Sequence, residues 1–171
     1  KAMVPICGKP LIQILIEKLK KVGVNEIVIN VHHFAQQIID FVELNDGFGV
    51  NIKFSDETNL LLETGGGLKQ AATLFSHDAP ILVHNVDILS NADILSLYNG
   101  ASSTVLLVSQ RDTQRYLLFD STSRLVGWTN IATGEIKSPY PEIKALEVDY
   151  QLSVINSHFQ KYAYSGIQVF L

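Results

Sequence analysis

The chain has 171 residues, 47% hydrophobic and 18% charged, with 13 Lys+Arg against 17 Asp+Glu and a net charge of −4. A folded domain usually takes roughly 100–200 residues, so this composition fits one globular domain with a sizeable core and excludes a disordered or collagen-like chain. No apolar run approaches the roughly 18 residues of a spanning helix. No basic run exceeds Lys20-Lys21, which argues against a surface built to hold a nucleic-acid backbone. The single cysteine, Cys7, forms no internal disulfide and fits a reducing, cytoplasmic compartment.

In chain order, Leu11, Ile12, Leu15, Ile16 and Leu19 recur at spacings of three and four, and Pro10 suits a first turn, so residues 10–22 are predicted as an amphipathic helix stopped by Gly23. Residues 26–31 (EIVINV) read as a buried strand. Residues 35–44 read as a helix through Ile38, Ile39, Phe41 and Val42, ended by Asn45-Asp46-Gly47. Residues 50–55 are a further short strand. The Gly-rich segment 63–67 is expected as a turn leading into a helix over 68–75, and residues 80–84 (PILVH) as another buried strand.

Alternating strand and helix predict βαβ units, hence an α/β, Rossmann-like doubly wound and mostly parallel sheet. The second half changes character. Residues 104–109 are one more strand, whereas 116–119 and 125–128, separated by Ser121-Thr122-Ser123, form a small antiparallel hairpin region. Residues 138–141 are Pro-rich and irregular, and no further element is predicted before the terminal strand. That strand is interrupted in mid-course at Leu171, and the chain opens without methionine at Lys1, so both ends are expected to be cut.

Three places carry chemistry. Glu63-Thr64-Gly65-Gly66-Gly67 lies at a helix N-terminus, where backbone N–H groups and the positive dipole end receive an anion or a nucleobase edge; a plain tight turn is the other reading. Neither the P-loop string nor the dinucleotide fingerprint is present, since Gln70 stands where the latter needs Gly or Ala. Asp87, in His84-Asn85-Val86-Asp87 directly after a buried strand, falls where open α/β sheets bind ligands and is a candidate Mg²⁺ ligand, with turn capping as the alternative. Asn85 divides in the same way between ligand contact and turn. Lys1 is the third, a lysine that meets a phosphate or a solvated surface charge. No Gly-x-Ser-x-Gly elbow and no activated cysteine occur, so a covalent mechanism has no support.

Together, Lys1-Ala2-Met3-Val4-Pro5 with Gly8-Lys9-Pro10-Leu11-Ile12, Glu63-Thr64-Gly65-Gly66-Gly67, Asn85-Val86-Asp87 and Tyr164-Ser165-Gly166-Ile167 resemble the sugar-1-phosphate nucleotidyltransferase family. The Glu-Thr-Gly-Gly-Gly string is most similar to bacterial members near N-acetylmuramate 1-phosphate uridylyltransferase and mannose 1-phosphate guanylyltransferase. The resemblance implies a single nucleotidyltransferase domain over 1–171 that condenses a nucleoside triphosphate with a sugar 1-phosphate, giving a nucleotide-sugar for envelope or polysaccharide synthesis and pyrophosphate, with Mg²⁺ as cofactor. It implies Lys1 and Asp87 as catalytic residues, with Asp87 the metal ligand. Nucleotide binding falls on Glu63, Thr64, Gly65, Gly66, Gly67 and Asn85, and sugar binding on Ser165 and Gly166 at a strand start.

The chain also departs from the family pattern. The family's Gly-rich strand-loop normally precedes the Lys-Ala-Met-like segment, and a second metal-binding aspartate normally follows the terminal strand. The expectation is that the natural protein carries both and that these 171 residues are catalytically incomplete. Val86 stands where the family commonly has Gly. A non-catalytic nucleotide- or nucleotide-sugar-binding regulatory module of the same fold is the competing expectation.

Overall fold

A computed structural model describes residues 1–58, 63–75, 79–147, 155 and 157–171. The chain divides into two units, Lys1–Ser103 with Val169–Leu171, and Thr104–Gln168.

The first unit begins with a tight hairpin of Pro5–Ile6 (β1) and Lys9–Pro10 (β2), paired Pro5↔Pro10 and Ile6↔Lys9. Cys7 and Gly8 turn it with φ of 49° and 82°, the left-handed pair that a two-residue hairpin requires. Helix α1 (Leu11–Lys21) follows at once and has no side-chain cap. Its first N–H groups are satisfied by the chain before it, Leu11 N–H donating to the Val4 carbonyl and Ile12 N–H to that of Ala2, both at 3.0 Å. The same bonds tie the residues after Lys1 to the helix start. Lys18, Lys20 and Lys21 occupy the last turn, where the dipole favours cations, and Gly23 at φ 92° ends it.

Strand β3 (Glu26–Val31), helix α2 (Ala35–Leu44) and strand β4 (Asn51–Asp56) make a βαβ unit whose strands run parallel, in register from Glu26↔Asn51 to Val31↔Asp56. One face of this pair is apolar: Ile27, Ile29, Ile52 and Phe54 join Ile12, Ile16, Val42 and Val50 in the core. The alternate residues Asn30, Lys53 and Ser55 point to the other face. Against that face packs α3 (Glu63–Ala71), fastened where Gln70 Nε2 donates to the Asp56 carbonyl at 2.7 Å; just beyond the helix, Lys53 Nζ donates to the carbonyl of Leu74 at 3.1 Å. Strand β5 (Ile81–His84) and the short helix α4 (Ile94–Asn99) complete the unit, with Asp93 capping α4 by accepting from Ser96 N–H at 3.0 Å.

The second unit is built on antiparallel pairing. Strands β7 (Arg115–Phe119), β8 (Leu125–Asn130) and β9 (Glu135–Lys137) lie side by side, β10 (Gln160–Phe170) pairs with β7, and β6 (Val105–Ser109) pairs with β10. Leu118, Val126, Ile136, Ile155 and Ile143, the last from α5 (Pro141–Lys144), form its core. The predicted β7–β8 hairpin is present; the Asp120 carboxylate organises its turn by accepting from Thr122 N–H, Thr122 Oγ1 and Arg124 N–H.

The protein is therefore α/β with mixed sheets, parallel at β3/β4 and antiparallel from β7 to β9. Some local expectations change. The Gly-rich segment 63–67 is the opening of helix α3 rather than a turn before it. Strand β10 starts at Gln160, so Ser165 and Gly166 sit inside it and not at its start. Helices α4 and α5, strand β9 and the β1–β2 hairpin occupy stretches for which no such element is predicted, and Pro10, expected in the first turn of α1, closes that hairpin instead.

Candidate functional site

The hydrogen bond from Val4 N–H to the Lys1 carbonyl at 2.9 Å anchors Lys1 beside the α1 start. Asp87 follows β5 in a turn in which Ile88 N–H donates to the Asn85 carbonyl at 3.3 Å. Val86 is partly buried against the core cluster of Ile12, Ile16 and Val42, which leaves Asn85 and Asp87 on the exposed side. Lys1 Nζ donates to Asp87 Oδ2 at 3.1 Å, with the two side chains 81% and 37% exposed. An ion pair that open contributes little to stability and exchanges readily for ligand contacts. Asp87 Oδ1 accepts no hydrogen bond among the described residues.

His84 supports this turn from below. Its Nδ1 donates to the Asn85 carbonyl at 2.8 Å, so Nε2 is the bare nitrogen of a neutral ring, buried without a partner among the described residues. Burial is the main cause holding its pKa below the ordinary histidine value; the Asn85 contact opposes the shift and the Lys18 charge adds to it. Lys18 Nζ in turn donates to the Ser90 carbonyl at 2.5 Å.

The glycines of α3 occupy different surroundings. Gly65 is exposed, and a Cβ there would meet nothing within 4 Å. Gly67 is buried, and a Cβ there would lie 2.4 Å from Glu57 Oε1 and 2.5 Å from Asn30 Nδ2. Glu63 and Thr64 open the helix, and their side chains lie outside the described set. Ser165 and Gly166 belong to the second unit, where Gly166 bends β10 with a φ of 75°. Beside them Arg111 Nη2 donates to the Tyr164 carbonyl at 3.5 Å, and the Tyr164 hydroxyl is buried without a partner among the described residues. Burial raises the pKa of that phenol.

Among the described residues no group of three or more His, Cys, Asp and Glu side chains is placed to hold a metal ion. Asp87 fits a different kind of cation site. Mg²⁺ commonly takes one or two carboxylates and completes its shell with water and substrate phosphate, and the open Oδ1 of an exposed carboxylate meets that need.

The model of the nucleotidyl transferase family matches residues 1–116. The chain belongs to this family. The matched span contains Lys1, Glu63 to Gly67 and Asp87, whereas Ser165 and Gly166 lie beyond it. The N-acetylmuramate alpha-1-phosphate uridylyltransferase of Neisseria meningitidis serogroup B is 40% identical over 103 residues, 60% of this chain and 44% of that protein. The mannose-1-phosphate guanyltransferase of Gibberella zeae is 32% identical over 123 residues, 68% of this chain and 34% of that protein. The chain thus spans less than half of either relative. Among solved structures, HddC from Yersinia pseudotuberculosis complexed with GMP-PN superposes with a TM-score of 0.68 at 21% identity, over 99% of this chain and 66% of that one. The apo-UDP-glucose pyrophosphorylase gives 0.65 at 13% identity, over 99% and 68%. These two likenesses show a shared fold.

The sequence singled out Lys1 and Asp87, and the structure brings them together. It did not single out Asn30, Glu57 or Arg111. The available signal for the first was an asparagine breaking the apolar run EIVINV.

Proposed function

We propose that the protein is a Mg²⁺-dependent sugar-1-phosphate nucleotidyltransferase, which condenses a nucleoside triphosphate with a sugar 1-phosphate and releases pyrophosphate. The observation that carries this reading is the meeting of Lys1 and Asp87, whose ammonium and carboxylate stand 3.1 Å apart on an exposed turn. A sugar phosphate oxygen attacks the α-phosphorus of the triphosphate in line, and pyrophosphate leaves. Such a reaction needs positioning and charge neutralisation rather than a protein nucleophile.

In this reading the Lys1 ammonium swings from Asp87 to a phosphate oxygen when substrate enters. Asp87 and water hold the cation, which supplies charge neutralisation on the phosphates when bound. Glu63, Thr64 and Gly65 to Gly67 present the opening turn of α3 to the nucleotide, and the exposed Gly65 leaves room for a ring or a phosphate to approach the backbone. Asn85 stands beside Asp87 as a nucleotide contact. Ser165 and Gly166 contact the sugar, next to the Gly166 bend in β10. The inward packing of the partly buried Val86 supports the enzymatic reading over a purely regulatory module, because it leaves Asp87 outward despite the departure from the usual glycine.

We also place both units in one Rossmann-like nucleotidyltransferase domain working in the cytoplasm, where nucleoside triphosphates are made, with a product that feeds envelope or polysaccharide synthesis. Neither nucleic acid nor membrane is a partner in this scheme. The relatives divide between uridylyl and guanylyl transfer, so UTP and GTP are the first substrates to try. The test is pyrophosphate release from each nucleoside triphosphate with a panel of sugar 1-phosphates and Mg²⁺, using the intact natural protein. Release that needs both substrates supports the proposal. Nucleotide binding without release under any pairing supports the regulatory module instead.

A further inference from the structure

The face of β3/β4 beneath α3 carries a buried carboxyl group with no place in the chemistry above. Glu57 is 3% exposed, and its backbone N–H donates to the Val31 carbonyl at 2.8 Å, carrying the chain one residue past the end of β4. Asn30 Nδ2 donates to Glu57 Oε1 at 2.9 Å. Burying a carboxyl group is costly, and the cost falls only when directional partners replace water. An apolar side chain would fill the same space more cheaply, so the carboxyl–amide pair calls for a reason that packing alone does not give.

The helix above supplies one. Gly67 is the point at which α3 rests on the pair, since a Cβ there would come within 2.5 Å of both polar ends. A hydrogen-bonded pair is a stiffer rest than two freely rotating side chains, because moving either polar end breaks the bond between them. Gly65 lies two residues earlier with open space before it. The two glycines therefore have opposite surroundings, one facing outward to where a ligand approaches and one seated on a fixed polar support.

We infer that Asn30 and Glu57 are positioning residues, a hydrogen-bonded pair that sets the height of the opening turn of α3 and through it the binding of the nucleoside triphosphate. This rests on the nucleotidyltransferase reading and assigns two residues that the sequence motifs do not contain. Neither residue touches the reacting atoms. Their influence passes through Gly67 to Gly65, so the effect of disturbing them falls on the nucleotide and spares the sugar phosphate.

The test is steady-state kinetics of the intact natural protein with both substrates varied. Asn30→Asp sets a second carboxyl against Glu57 and removes the donor; Asn30→Ser withdraws the donor without adding charge and serves if the aspartate variant folds poorly. Either single change is expected to raise the KM for the nucleoside triphosphate about tenfold, with the sugar 1-phosphate KM and kcat within about twofold of the parent, because a small displacement of a binding segment costs that much or more. The double variant Asn30→Asp/Glu57→Gln reverses donor and acceptor and is expected to bring the nucleotide KM back to within about threefold of the parent. Equal effects on both KM values, a lower melting temperature with no KM change, or no recovery in the double variant would overturn the inference while leaving the enzyme reading standing. If the intact parent protein neither binds nor turns over any nucleoside triphosphate, the enzyme reading fails and this inference with it.

Discussion

Lys1 and Asp87, 86 residues apart in sequence, meet in an ion pair of 3.1 Å at the surface of the first unit. An exposed pair of this kind contributes about 0–1 kcal/mol to folding, and the proposed role of its carboxylate is tested by removing the charge. Asp87→Asn is expected to lower turnover by about 10²–10³-fold, the scale of losing one charge-stabilising group, while the unfolding midpoint stays nearly unchanged. Parallel measurement of kcat and thermal unfolding separates the two effects, and near-normal turnover would remove Asp87 from the site.

The core of the second unit is expected to be much less forgiving. Leu118 is fully buried among Val126, Ile136, Ile143 and Ile155. Leu118→Ala leaves a cavity in this core and is expected to cost about 2–5 kcal/mol, read as a lower denaturant midpoint with an unchanged m-value.

His84 gives the protein a pH dependence whose sign is fixed by burial. Its folded pKa lies below the unfolded value near 6.5 because the buried imidazolium is disfavoured. Above pH 6.5 both states hold a neutral ring and the group has no effect. As the pH falls through 6.5 the unfolded chain takes up a proton that the native ring resists, so stability is lost until the folded pKa is reached. Unfolding free energies measured from pH 8 to pH 5 are expected to fall more steeply for the parent than for His84→Gln. The other four histidines are common to both proteins, so parallel curves would clear His84.

Much of the first unit was legible because its pattern is local. The spacing of Leu11, Ile12, Ile16 and Leu19 placed α1 to within a residue at each end, and the apolar run EIVINV matched β3. The Gly-rich segment was misread for a physical reason. Glycine weakens a helix by up to about 1 kcal/mol per residue, and the docking of α3 on Asn30, Glu57 and the ends of β3 and β4 outweighs a preference that sequence reads in isolation. Strand β10 was shortened in the reading because Gln160 to Ser165 (QKYAYS) mixes polar and aromatic residues and owes its extended form to the partner strand β7. Pairing direction between such distant segments leaves no local trace.

The candidate site was legible in another way. Nothing in the spacing of Lys1 and Asp87 announces that they touch; Asp87 stands out just past a buried strand and Lys1 as a lysine beside a helix start, the resemblance to a family gives both a role, and the structure joins them. The Asn30–Glu57 pair left only an asparagine inside an apolar strand, a signal too slight to separate from a surface residue. Ser165 and Gly166 were singled out by the same resemblance, and their place inside β10 rather than at its start changes how a sugar would reach them.

The proposed function rests on a Mg²⁺-dependent nucleoside triphosphate site at Lys1 and Asp87. It is tested by the thermal unfolding of the intact natural protein with UTP, GTP, CTP, ATP and dTTP, each with and without Mg²⁺, beside the Asp87→Asn variant, since a ligand that binds only the native state raises the unfolding midpoint. A rise with one or two nucleotides that needs Mg²⁺ and is lost in Asp87→Asn is the predicted result. The absence of any Mg²⁺-dependent rise, or one that Asp87→Asn leaves intact, would contradict it.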